Sequence, residues 1–146
     1  MKTLSTGKID FELPFDNGDI CVISFNPNDI DFYDKLLKLE SNIQKVFEGY
    51  ENISVNSDNL CDIIEKIKND TSLKIKGEFD VLFGDGASEK IFKYCSPVSI
   101  AENQYYPYYF LNAFLPDVAK AIDKTNIKAR ENAEKMLSHT AKYIKE

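Results

Sequence analysis

Between Lys8 and Phe25 the chain carries the pattern of a β-hairpin, and a hairpin cannot bury its own apolar face. Ile9, Phe11 and Leu13 alternate with Asp10 and Glu12, the period of two that gives a strand one dry face and one wet one. Asp16-Asn17-Gly18-Asp19 follows, and Asn-Gly favours a tight turn because both residues tolerate positive φ. Ile20–Phe25 then returns as a second apolar strand. Two strands alone are marginal in water. The hairpin must therefore lie on helices or pair with the edge of another chain.

Helices follow. Asn26-Pro27-Asn28-Asp29 ends the second strand and supplies N-caps. Ile30, Tyr33, Leu36, Leu37, Ile43, Val46, Phe47 and Tyr50 fall mostly at spacings of three and four. That predicts one amphipathic helix over about residues 29–49, with Asp29, Asp31 and Asp34 at the positive end of its dipole. After a connector at Glu51–Asn56, Ser57 or Asp58 offers the next cap. Leu60, Ile63, Ile64, Ile67, Ile75, Phe79, Leu82 and Phe83 keep helical spacing, which predicts one long helix to Phe83. Asp70-Thr71-Ser72 and Gly77 weaken its middle, so two helices divided near residue 71 form the alternative.

Gly84, Asp85 and Gly86 read as a structural turn. Gly84 suits the left-handed residue after a helix, and Asp85 or Ser88 can start a short helix to about Phe92. Tyr94–Glu102 reads as a loop. Asn103 is the expected cap of the next helix, Pro107 fits its first turn, and Pro116 is expected to kink or divide it. Asp117–Glu146 favours helix but has only a thin apolar stripe. Such a helix is expected to pack weakly on its own body and to extend away or join another subunit.

The predicted class is mainly α within α+β: an N-terminal β-hairpin followed by four to five helices. With 146 residues, one domain is expected over 1–146. Its parts are the hairpin at 8–25, a helical body at 29–122 and a C-terminal helix at 123–146.

Charge narrows the partners. The net charge is −6, which argues against nucleic acid, whose phosphates need a concentrated positive surface. Residues 1–119 carry −9 and residues 120–146 carry +3. A basic final helix on an acidic body can steer an acidic partner, pack on a neighbouring body, or simply complement its own dipole. No apolar run approaches a membrane span, and the first residues lack the apolar stretch of a signal peptide. A cytosolic protein is expected.

Little in the chain points to catalysis. Cys21, Cys61 and Cys95 are odd in number, and no C-x-x-C pair suggests zinc. His139, the one histidine, reads as a surface residue near a helix end. The carboxylate pairs Asp29/Asp31, Asp58/Asp62 and Glu131/Glu134 sit at helix starts or on exposed faces. Gly84–Gly86 lacks the spacing and the Lys-Ser/Thr of a phosphate loop, and it lacks the oxygen ligands of a calcium loop. The expectation is a binding protein without catalytic residues, cofactor or metal.

The densest chemical feature is aromatic. Tyr105, Tyr106, Tyr108, Tyr109, Phe110 and Phe114 fall within ten residues, too many for one core stripe. Tyr105, Tyr106, Tyr108, Tyr109 and Phe110 are therefore the candidate partner-binding residues, since aromatics concentrate at interfaces. An aromatic-rich core is the competing reading.

Phe79-Asp80-Val81-Leu82-Phe83-Gly84-Asp85-Gly86-Ala87-Ser88-Glu89-Lys90-Ile91-Phe92 resembles a motif close to F-x-x-L/I-F-G-x-G-x-S-x-x-I/V-F. Cys95-Ser96-Pro97 and Phe110-Leu111-Asn112-Ala113-Phe114-Leu115-Pro116 are similar to a following Ser-Pro loop and an F-L-x-A-x-L-P helix. Together with the opening strand, these segments resemble the small tail assembly chaperones of long-tailed phages of Gram-positive bacteria. The likeness covers most of the chain as a pattern. The weak Asp70–Gly77 stretch and the tyrosine cluster depart from it. It implies a non-catalytic factor in the bacterial cytoplasm that binds the tape measure protein, helps tail-tube protein assemble around it, and is absent from the finished virion. A homo-oligomer is compatible with it. The alternative is a small structural tail or connector protein that self-assembles through its hairpin edge and final helix.

Overall fold

The computed structural model describes residues 1–144. It is 57% helical and 11% strand, an N-terminal antiparallel hairpin followed by helices, as the pattern predicts. Strands β1 (Ile9–Pro14) and β2 (Ile20–Phe25) pair in register Phe11↔Ile23 and Leu13↔Cys21. Only Gly18 in their connection takes positive φ, at 93°. Phe15 N–H donates to Asp19 O at 2.7 Å, closing a three-residue loop rather than a two-residue Asn-Gly turn. Phe11, Cys21, Ile23 and Phe25 form the dry face, while Ile9 at the strand's start is exposed. That face lies on helices: Phe25 stacks on Phe32, and Phe114 meets both Phe11 and Phe25.

Helix α1 spans Ile30–Glu51, and its cap is Asp29, whose carboxylate accepts from Asp31 N–H at 3.0 Å. Neither Ser57 nor Asp58 caps the next helix. Asn59 occupies that position, with its side chain accepting from Asn56 N–H. The path from residue 60 to 83 is one helical rod, α2 (Leu60–Lys66) and α3 (Leu73–Phe83), joined by a π-helical turn at Ile67–Ser72. No residue of α2 is buried, while Ile75, Phe79 and Leu82 of α3 are. A π turn holds more residues than an α turn, so it puts the stripe of α2 out of phase with that of α3.

The glycine turn is structural. Gly84 and Gly86 have φ of 100° and 85°, and Gly86 rather than Asp85 or Ser88 is the N-cap of α4 (Ala87–Ile91). Asp80 reaches across from α3, accepting from Ser88 N–H at 2.8 Å and Ser88 Oγ at 3.0 Å. It does the capping work that a glycine cannot.

The end of the stretch read as a loop and the first residues after it form a second small hairpin, β3 (Ile100–Ala101) and β4 (Gln104–Tyr105). Its turn residues, Glu102 and Asn103, both have positive φ, as a two-residue turn of that hand requires. Asn103 is thus a turn residue, and Tyr105 is the N-cap of α5 (Tyr106–Ala121). Pro116 does not divide α5, and its ring lies on the exposed side.

Helix α6 (Ile127–Ala141) corrects the expectation of an extended or exchanged terminal helix. It packs against α5 and α1 of its own chain. Its stripe is thin because it is built of small residues, Ala129, Ala133 and Thr140, with Met136. Small side chains let helices approach closely, so the thin stripe is buried rather than weak. Asn126 caps α6 and also donates to Asn28 O at 2.9 Å. The last two residues of the predicted helix, Lys145 and Glu146, lie outside the described residues.

Candidate functional site

The start of α5 places successive aromatic residues on different faces of one helix, and the structure gives them different fates. Tyr106, Tyr108 and Phe110 are buried, at 8%, 4% and 5% exposure. They belong to the core and do not form an exposed patch, which corrects the expectation for these three residues. Tyr105 and Tyr109 are half-buried. Phe110 packs on Phe79, Phe83 and Phe114, while Tyr108 stacks face to face on Tyr143 at 3.8 Å. Five such side chains fit because they divide between two packing faces instead of crowding one stripe.

On each of those faces the aromatic rings wall a cleft. The first, of about 240 Å³, is lined by Phe47, Tyr105, Tyr108, Tyr143, Glu48 and Glu51, among others. Tyr105 stacks on Phe47 at 4.1 Å and donates to Glu51 Oε1 at 3.0 Å. The second, of about 300 Å³, is lined by Phe15, Cys21, Tyr94, Tyr106, Tyr109 and Phe110, with Asp16 and Glu102 at its edge. Both are open clefts rather than sealed cavities, apolar inside and acidic at the rim. Burial pushes Tyr105 and Tyr106 up to about 12 and raises Tyr108 further. Burial likewise raises the Cys21 thiol, so these groups are neutral at physiological pH. The clefts can accept apolar side chains and present hydroxyl groups.

Two polar clusters support this wall, and both escape sequence reasoning. Glu40 of α1 is buried at 4% exposure. It accepts from Tyr143 Oη and lies 2.9 Å from His139 Nε2 and 3.9 Å from Lys142 Nζ. His139 is therefore a tie between α6 and α1 and not a free surface group. Asn112 donates to Gln104 Oε1 at 2.7 Å and to Thr140 O at 3.2 Å, joining α5 to β4 and α6. Neither pairing has a local sequence signal, because the partners are separated by up to 103 residues.

Cys61 is exposed, Cys95 half-buried and Cys21 buried, all as free thiols. Among the described residues, no group of His, Cys, Asp and Glu is arranged to hold a metal ion. No helix among them is long and apolar enough to cross a membrane. Comparison of the chain with protein-family models, curated proteins and solved structures finds no match.

Proposed function

We propose that this protein is a tail assembly chaperone of a long-tailed phage, acting in the bacterial cytoplasm and leaving before the virion is complete. Its client is the tape measure protein, around which it helps tail-tube protein assemble. One observation carries the reading: the paired, aromatic-walled clefts on the two faces of α5. A long amphipathic client helix offers apolar side chains at i, i+3 and i+4, and aromatic-lined grooves are a common way to hold them. The acidic rims, Glu48 and Glu51 on one cleft and Asp16 and Glu102 on the other, suit basic residues flanking such a stripe. Within the motif that resembles the chaperones, the Gly84–Gly86 turn and Asp80 are read as scaffold, because they fasten α4 beneath the second cleft.

The test is co-expression with the tape measure protein, followed by size-exclusion chromatography with light scattering. A soluble complex holding several copies per client is expected, where the client alone precipitates. Tyr105→Ala with Tyr109→Ala should abolish that complex while the protein stays folded. Unimpaired capture by the double variant would remove the clefts from the reading. Persistence of the protein in purified particles would mark a structural tail component instead.

A further inference from the structure

Two buried side chains in the first cleft hold polar atoms that their own chain leaves without a partner. Tyr108 and Gln104 are 4% and 5% exposed, and both line that cleft. Tyr105 and Tyr143 each donate a hydroxyl to a glutamate, but the Tyr108 hydroxyl makes no hydrogen bond among the described residues. Gln104 is satisfied on one side only. Its Oε1 accepts from Asn112 Nδ2 at 2.7 Å, and the same Nδ2 donates to Thr140 O. That backbone carbonyl fixes which way Asn112 points, so Gln104 must turn its oxygen to Asn112 and its amide nitrogen away. Among the described residues, no side-chain nitrogen or oxygen sealed from solvent lacks a partner. The Tyr108 hydroxyl and the Gln104 amide nitrogen are therefore open to solvent, and the cleft is where these two residues meet it.

The interior of the cleft thus offers two donors. Burial, with Glu40, Glu51 and Glu48 nearby, raises Tyr108 and keeps its hydroxyl protonated at physiological pH. At the mouth the chemistry reverses. Glu48 and Glu51 are exposed there, neither makes an ion pair among the described residues, and no lysine or arginine lines the cleft. Lys142 lies over the Tyr143 ring and 3.9 Å from the buried Glu40.

We infer that this cleft is a subsite for a carboxamide side chain, Gln or Asn, of a protein partner, with a basic residue beside it in the partner's sequence. The carboxamide oxygen has two lone pairs, for the Tyr108 hydroxyl and the Gln104 amide. Its NH2 group suits the carboxylates of the rim, and the neighbouring cation meets Glu48 and Glu51. Other occupants match only half of this pattern. An aliphatic side chain fills the space and leaves both donors unpaired. A lysine or arginine head driven inside sets its N–H groups against the Gln104 amide. A carboxylate accepts from both donors, but it must pass Glu48 and Glu51 to do so. A main-chain amide has the right groups, yet in a helical client those are already bonded to one another. The inference rests on the reading of this cleft as the seat of a protein partner, and it names the chemistry of the group that enters.

Nuclear magnetic resonance titration of the isotope-labelled full chain tests it, with the acetylated and amidated tripeptide Lys-Gln-Lys as the probe. Lys-Met-Lys, which matches it in length without the amide, and Lys-Glu-Lys are the controls. The side-chain amide resonances of Gln104 should shift saturably with Lys-Gln-Lys, and both controls should bind about tenfold or more weakly. Tyr108→Phe removes only the unpartnered hydroxyl, so the variant should stay folded and lose about tenfold in affinity for Lys-Gln-Lys. Equal affinity for Lys-Met-Lys overturns the inference. So does a Gln104 amide that Lys-Gln-Lys never shifts, or a Tyr108→Phe variant that binds it as tightly as the original chain. Capture of the tape measure protein without discrimination among the tripeptides ends this inference alone. Discrimination without capture ends the chaperone reading alone.

Discussion

Helices α2 and α5 carry comparably strong apolar signals in the sequence, and the fold treats them in opposite ways. The start of α5 is crowded with tyrosine and phenylalanine, the residues most enriched at interfaces, yet most of that surface is core. Helix α2 has an ordinary aliphatic stripe of the kind usually found under another helix, and none of its residues is buried. The difference comes from what surrounds them. The residues of α5 divide between two faces, each met by packed elements: the hairpin and α3 on one, α1 and the end of α6 on the other. The stripe of α2 is turned out of phase by the π turn, which leaves Ile63 and Ile67 half-buried and Leu60 and Ile64 exposed. Composition says how much apolar surface a segment must hide. Register decides whether it hides it within its own chain.

Substitutions can break this contrast. The largest effect is expected at Phe114 of α5, which is fully buried against Phe11, Phe25, Phe83 and Phe110. Phe114→Ala should lower stability by about 3–5 kcal/mol in urea denaturation, the usual cost of emptying a large core position. A loss below about 1 kcal/mol would show that the aromatic cluster is loosely packed.

Next comes the clamp behind α5. Glu40→Ala should cost about 1–3 kcal/mol, because it removes the buried acceptor that Tyr143, His139 and Lys142 share. Amide exchange in α6 should accelerate more than in the hairpin, and equal acceleration in both would mean that α6 is not held separately by this contact.

Alkaline pH should act through the buried tyrosines of α1 and the start of α5, since α2 carries no tyrosine. Burial holds Tyr33, Tyr105 and Tyr106 at about 12 in the folded chain, against an ordinary value of about 10 once unfolded. Between those values the unfolded chain has released protons that the folded chain still binds. Stability is therefore complete below about pH 10 and falls as pH rises toward the folded values. Tyrosinate absorbance should lag the ordinary titration and then rise together with loss of circular dichroism. Titration of all eight tyrosines at the ordinary value with the fold intact would contradict the burial that raises Tyr33, Tyr105 and Tyr106.

The smallest effect belongs to α2. Ile64→Ala should change stability by no more than about 0.5 kcal/mol, as exposed sites generally do. A cost near that of Phe114→Ala would erase the contrast.

The fold class was legible because its signals are local. A period of two marks the hairpin, Asp29 marks the start of α1, and Gly84 with Gly86 marks the break before α4. The misreadings all concern what meets what. The thin stripe of α6 looked too weak to pack, but alanine and threonine bury fully where two helices come close. Asn103 has the chemistry of a cap and also that of a positive-φ turn, and the short strand pairing of Ile100 with Tyr105 decides for the turn. The candidate site was half legible. The aromatic cluster was visible as a cluster, but its division into core rings and cleft walls depends on α1, the hairpin and α6. Glu40 was invisible as a site residue because it sits at an ordinary position on an amphipathic helix, and its partners come from the far end of the chain.

That last separation has a consequence for synthesis. Glu40 leaves the ribosome about a hundred residues before Tyr143, and Asn28 precedes Asn126 by 98. The hairpin and α1 therefore emerge with a carboxylate still exposed to water where the finished molecule has a sealed helix contact. Closing so long a loop adds little to the thermodynamic cost, which grows only with the logarithm of length, but distant contacts slow folding. A nascent chain keeps one wall of its first aromatic cleft missing until Tyr143 arrives. That cleft is thus completed only after the hairpin, α1 and α5 have all been made.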